Sequence, residues 1–259
     1  MHVVAIHGWR EETPELVQAL ADALGLMPFE ARQRLIGGGP SVVASFADHK
    51  QALALATKLN QRDIATLVVD ATTVRNRTGW FIVRRFELGV QSLRIETGDG
   101  QCAEVPFGDI DLILPGTSIS GYSETKTVTE RKLSIGKTLL SGGIPMTSKI
   151  ERQEEVTTEE RRKVLHLYAG SRPAVVFSQE GLTYDGLGAA MKLSRELNFA
   201  YLISELRRLC PGAGYDDRLL NRLGQVRVLG PAQVPGASLD LAAEILALSL
   251  RRGQATSPH

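Results

Sequence analysis

Apolar side chains recur along this chain at two different periods, and the switches between them mark out its parts. From Trp80 to Leu114 the period is two. Trp80, Ile82, Phe86 and Leu88 take the even positions, Val83, Arg85 and Glu87 lie between them, and Arg84 interrupts the even face, where a long side chain can snorkel to an edge. Leu93 and Ile95 then alternate with Arg94 and Glu96. Gly98-Asp99-Gly100 supplies the positive φ of a tight hairpin before Ala103–Phe107. Ile110, Leu112 and Leu114 close the run against Asp109, Asp111 and Ile113. The pattern predicts three antiparallel strands with one wet face.

The first 70 residues read differently. Val3–Ile6 is a first strand. Thr13-Pro14-Glu15 opens a helix with a hydroxyl cap, proline at its first position and an acid in its first turn. Leu16, Val17, Leu20 and Leu24 make its stripe and Gly25 stops it. A second helix runs from Pro28 to about Ile36 with Phe29, Leu35 and Ile36 as anchors, and Gly37-Gly38-Gly39-Pro40 ends it. Asp48 with Gln51 resembles a capping box for a third helix carrying Ala52, Leu55, Ala56 and Leu59, and Ile64–Val69 is a closing strand. The order predicts a small sheet with helices on one side.

Beyond a polar boundary at Ala71–Gly79 and the meander, Ser118–Tyr122 reads as a further strand. Val164–Tyr168 and Ala174–Phe177 read as a hairpin across Gly170-Ser171-Arg172-Pro173. Phe199, Leu202, Ile203, Leu206 and Leu209 repeat at helical spacing over Asn198–Cys210, ended by Pro211-Gly212. A short helix from Tyr215 to Leu223, a strand over Gln225–Leu229 and a linker at Pro231–Gly236 follow. The last helix, Leu239–Arg252, is apolar on more than one face and needs cover from its own domain or from another chain. The fold class expected is α+β, in three parts: 1–70, 79–212 with a long inserted loop at 126–163, and a helical extension with its tail at 213–259.

The chain has 259 residues, 43% of them hydrophobic, so a core of ordinary size can form. With 30 basic and 29 acidic residues the net charge is +1, which argues against wholesale wrapping of nucleic acid. The apolar start lacks a basic leader and a cleavage site, and no apolar run approaches membrane-spanning length. The expectation is a cytoplasmic protein with no membrane span. Cys102 and Cys210 lie in different segments and are expected to stay reduced.

Two resemblances rest on these residues. Gly25-Leu26-Met27-Pro28-Phe29-Glu30-Ala31-Arg32, then Gly37 and Val42, with the Ala52–Leu59 helix and the strand after it, resemble the C-terminal domain of the bacterial ribosomal stalk protein. The Clp protease adaptor shares that fold. The resemblance implies a docking module without catalysis. Stalk domains dock factors through a lysine-rich helical face, and here Arg32 and Arg34 are the cations on the matching helix. The antiparallel strands closed by the Asn198–Cys210 helix are similar to a pleckstrin-homology or GRAM-type domain, which implies recognition of phosphoinositides, peptides or proteins.

Candidate chemistry is sparse. Lys126, Arg131, Lys132, Lys137 and Lys149 populate the 126–163 loop, and they suggest a mobile basic loop that grips an anionic ligand or surface. The plainer alternative is a solvated insertion of mixed charge. Gly136-Lys137-Thr138 is not a P-loop, because position 131 holds arginine where the motif needs glycine. His166 alternates with Leu165 and Leu167 as a sheet-face residue. Asp109 and Asp111 could hold a cation or simply face water, and Asp216-Asp217 reads as helix capping. No metal spacing, nucleophile elbow or paired acid–base motif stands out, so no catalytic, metal or cofactor residue is assigned. The leading expectation is a non-enzymatic adaptor binding proteins through both modules. The alternatives are an enzyme with a dispersed site near the 126–163 loop and a subunit that self-associates through its C-terminal helix.

Overall fold

The computed structural model describes the fold of residues 1–133, 147–230 and 238–255, and the side chains of 1–119, 160–230 and 238–253. The protein is mixed α/β, with a three-stranded and a seven-stranded sheet. It divides into two units: residues 1–118 with 162–259, and residues 119–161, of which 119–133 and 147–161 lie in two long strands.

The small sheet has the order β2 (Ser41–Phe46), β1 (His2–Ile6), β3 (Thr66–Asp70), all antiparallel. Three helices follow the predicted signals. In α1 (Pro14–Leu24) the Thr13 hydroxyl accepts from the Leu16 amide at 3.2 Å, and Gly25 ends the helix at φ 67°, a left-handed conformation that suits glycine. In α2 (Pro28–Leu35) only Ala31 and Leu35 are buried. In α3 (His49–Asn60) Asp48 caps the Lys50 amide at 2.9 Å, and Ala52, Ala56 and Leu59 face inward. These helices cover one face of the sheet, packing Leu20, Leu35 and Leu59 on Val4 and Ile6. Each such buried aliphatic side chain contributes about 1.5–3 kcal/mol. A short α4 (Ala71–Arg75), capped by Asp70, occupies the expected boundary.

The large sheet is mixed, which corrects the expected wholly antiparallel sheet. Its meander, β4 (Phe81–Leu88), β5 (Ser92–Thr97) and β6 (Cys102–Pro106), is antiparallel, with Gly100 at φ 85° in the predicted turn. The remaining strands are β7 (Ile110–Leu133), β8 (Thr147–Ala169), β9 (Val175–Ser178) and the two-residue β10 (Gly214–Tyr215). The order is β10-β7-β8-β9-β4-β5-β6, with β4 parallel to β9 and β10 parallel to β7. The interruption at Arg84 is a β-bulge, since the β4–β5 register shifts between Val83 and Arg85. Before it Phe81 and Val83 face one core cluster; after it Phe86 and Leu88 do. Arg84 is the extra residue that moves the apolar set from odd to even positions.

One face of this sheet packs on α5 (Arg195–Leu209) through Phe199, Leu202 and Leu206. The other shares a core with the free face of the small sheet. There α6 (Arg222–Leu229) and α7 (Leu239–Ala255) lie among Val3, Ala5 and Leu67 from the small sheet and Leu112, Leu114, Val164 and Val176 from the large one. The C-terminal helix is thus covered by its own chain, with Ile245 and Leu246 fully buried.

Four further expectations are corrected. Phe29 and Ile36 do not anchor α2; both are exposed, because an eight-residue helix turns only one narrow stripe inward. Gln225–Leu229 is helix rather than strand. Asn221 caps it through the Gly224 amide at 2.8 Å, and Gly224 packs so closely on the Arg218 carbonyl that a Cβ would sit 1.9 Å from the oxygen. Tyr215–Leu223 holds strand β10 and a 3-10 turn at Arg218–Leu220 in place of one helix. Residues 126–133 and 147–163 are strand rather than loop, as their threonine-rich alternation permits. The Gly136-Lys137-Thr138 word and the linker at 231–236 lie outside the described residues.

Candidate functional site

Two kinds of site emerge: apolar side chains mounted in water, and a polar seam that opens into a cleft. The first begins at α2. Pro28 starts the helix and the Glu30 carboxylate accepts from the Met27 amide at 3.0 Å, so the N-terminal turn is fixed. Met27 and Phe29 on that turn are 68% and 71% exposed. Arg32 beside them pairs with Glu12 at 3.2 Å.

A second mount precedes α5. Ser194 caps the helix through the Leu197 amide at 3.2 Å. The buried Asn198 side chain accepts from the Lys192 amide at 2.6 Å and donates to its carbonyl at 3.1 Å. A hydrophobic residue just before a cap normally packs on the fourth helical residue. Here that residue is Asn198, already turned back onto Lys192, so Leu193 is left fully exposed, with Met191 and Leu197 more than half exposed. Lys192 sits 5.0 Å over the Tyr201 ring. Leu223 on α6 is a further exposed apolar residue.

The seam runs along α7 where it meets β7 and β8. His166, with no exposed surface, bonds through Nε2 to Asp240 Oδ1 at 3.0 Å. Arg77, a non-glycine residue at φ 50°, donates from Nε to the other Asp240 oxygen at 2.7 Å. Burial opposes ionisation of Asp240, but the hydrogen bonds and charges of His166 and Arg77 outweigh it and hold the carboxyl below its usual range. His166 Nδ1 has no hydrogen-bond partner among the described residues. One turn on, the Tyr168 hydroxyl meets Glu244 at 3.3 Å. Burial raises both groups, Glu244 above the ordinary carboxylate value and Tyr168 well above that of a phenol. Arg251 closes the row, holding both oxygens of Asp111 at 2.8 Å and lying 5.2 Å over the Tyr168 ring.

Two clefts flank the Arg77–Asp240 pair. One, of about 270 Å³, is lined by Ala71, Arg75, Arg77, Ser238, Asp240 and Leu241. The other, of about 220 Å³, adds Ile82, Val164, Val176 and Leu239 as apolar wall and Ser118, Ser178 and Arg162 as polar rim. A wider recess of about 520 Å³ over the meander has both its cations paired, Arg85 with Glu96 at 3.4 Å and Arg94 with Glu87 at 3.5 Å, while Glu104 accepts from the Ser92 hydroxyl.

Of the cations expected to bind an anion, only Arg32 and Arg34 have described side chains. Arg32 is paired on α2, and the Arg34 guanidinium lies beside Gly230. Arg131 and Lys132 end β7 and Lys149 is in β8; Lys137 and the side chains of the other three lie outside the described residues. Asp109 pairs with Arg172 at 3.3 Å, and Asp216 both accepts from the Arg218 amide at 3.0 Å, at the start of the 3-10 turn, and pairs with the Arg218 guanidinium at 2.8 Å. The cysteines are free, Cys102 exposed and Cys210 buried, with burial pushing the Cys210 thiol up to about 11. Among the described residues no group of three or more His, Cys, Asp or Glu could hold a metal, and no helix is long and apolar enough to cross a membrane. Sequence reading missed Arg77, Asp240 and Glu244, whose partners lie far off in the chain. It also missed Gln225, fully buried and donating to the Thr117 and Leu219 carbonyls at 2.7 Å.

No protein-family model, curated protein or solved structure matches this chain.

Proposed function

We propose that the chain is a non-enzymatic adaptor of the cytoplasm that docks protein partners through surfaces on both its N-terminal and its β-rich parts. The observation that carries this reading is the pair of rigid mounts that hold Met27 with Phe29, and Met191 with Leu193, in water. Isolated exposed apolar residues are common, but groups of them fixed by capping bonds are the form a docking surface takes. The βααβαβ order of the first 70 residues supports a stalk-domain or Clp-adaptor kinship. The antiparallel β4–β5–β6 meander, with α5 across one face of the mixed sheet, supports a pleckstrin-homology-like one. Arg32 and Arg34 on α2, and Arg131, Lys132, Lys137 and Lys149, would favour an acidic partner. Self-association through the C-terminal helix draws less support, since the apolar residues of α7 already have cover.

The test is quantitative capture from native-host lysate by the wild-type chain, the Met27→Ser/Phe29→Ser pair and Leu193→Ser. A partner retained by wild type and lost from either variant, with unchanged melting temperature, is the expected result. Identical capture by all three discards the reading.

A further inference from the structure

The 220 Å³ cleft between the strands of the large sheet and the start of α7 combines polar groups with an apolar wall. Four aliphatic side chains, Ile82, Val164, Val176 and Leu239, make its wall. Its charged groups are Arg77, Arg162 and Asp240. Asp240 is already committed, one oxygen to His166 and the other to Arg77 Nε. Arg162 lies 3.2 Å from the outlying carboxylate of Glu180. Arg77 spends only its Nε on Asp240, and its two terminal nitrogens have no hydrogen-bond partner among the described residues. The Ser178 hydroxyl likewise has none. Each guanidinium thus has a carboxylate partner, and what the cleft offers is the open outer edge of Arg77 beside an apolar wall.

We propose that this cleft binds a small aliphatic carboxylate, its two oxygens on the Arg77 terminal nitrogens and the Ser178 hydroxyl, its hydrocarbon body against Ile82, Val164, Val176 and Leu239. A planar carboxylate matches the paired donors of a guanidinium edge. Arg77 would bridge two carboxylates, Asp240 through Nε and the ligand through its outer edge. The cleft has room for about seven water-sized groups at about 30 Å³ each, the size of a five-carbon acid, and it sits below the roughly 300 Å³ at which drug-sized pockets begin. The site shares no residue with the exposed apolar mounts, so it stands or falls apart from the adaptor reading.

Calorimetric titration of the full chain with sodium isovalerate tests it, with isovaleramide, isopentylamine and inorganic phosphate as separate arms. Saturable binding of isovalerate alone is expected, weakened about tenfold or more in Arg77→Gln, the loss that follows removal of a charge-assisted hydrogen bond. Ser178→Ala, which removes the hydroxyl with almost no change of side-chain volume and leaves the Asp240 pair intact, is expected to weaken it severalfold, and it decides the matter if Arg77→Gln does not fold. No isovalerate binding, equal binding of the amide, binding of phosphate in its place, or unchanged affinity in either folded variant overturns the proposal.

Discussion

The strip of β8 beneath α7 and the tip of α2 both invert the usual placing of polar and apolar groups, yet they do so under different physical constraints. Beneath α7, His166 and Tyr168 are taken out of water and Asp240 and Glu244 are partly buried, and each finds a partner from the facing element. A buried charge is tolerated only when paired and hydrogen-bonded, so this strip is explained by the packing of helix on sheet. At the tip of α2, Met27 and Phe29 stay in water though nothing in the fold requires them there. Folding accounts for the first inversion and is silent on the second. That difference separates residues that hold the protein together from residues available to a partner.

The contrast can be broken most violently at Asp240. Asp240→Ala strands the buried His166 and leaves Arg77 without its anion; urea unfolding should show a loss of about 3–5 kcal/mol. Leu246→Ala, in the apolar part of the same helix, should cost about 2–5 kcal/mol by the cavity it leaves. If Asp240→Ala proved near neutral while Leu246→Ala did not, the seam would be ornament rather than structure.

A pH series sharpens the same point. Glu244 has a folded pKa above its ordinary 4.5, so its contribution to stability is present below that value and is lost as pH rises through the folded pKa. Asp240 runs the other way, contributing above 3.8 and losing it as pH falls through its depressed folded pKa. Glu244→Gln, which can still accept from Tyr168, should therefore melt higher than wild type at pH 7, and the gap should close toward pH 4. A constant gap across that range would contradict the burial argument. The smallest effect belongs to Leu193→Ser, expected to change unfolding free energy by no more than about 0.5 kcal/mol, as for a surface position without partners.

Much of the scaffold could be read from local signals, because local signals cause it. Thr13, Gly25 and Asp48 act within four residues of their own positions, and the Gly98–Gly100 turn joins neighbouring strands. The bulge at Arg84 left a trace too, an interruption of the even face, but a snorkelling arginine explains the same interruption. Phe29 looked like an anchor because its spacing to neighbouring apolar residues is helical; only the direction of the buried stripe, set by Ala31 and Leu35, decides otherwise. The seam was illegible. His166 and Asp240 stand 74 residues apart, and Asp111 and Arg251 stand 140 apart, so no periodicity connects them. Nor could the strands of 126–133 and 147–163 be told from a polar loop, since neither stretch has the apolar face that reveals a buried strand.

The central claim is that the exposed apolar mounts serve a partner and not the fold. Urea unfolding of Met27→Ser/Phe29→Ser/Leu193→Ser against wild type tests it most directly. The account predicts unfolding free energies that agree within about 0.5 kcal/mol, whereas a loss of about 2 kcal/mol or more would mean that these side chains pack in the folded protein and that the docking surfaces do not exist.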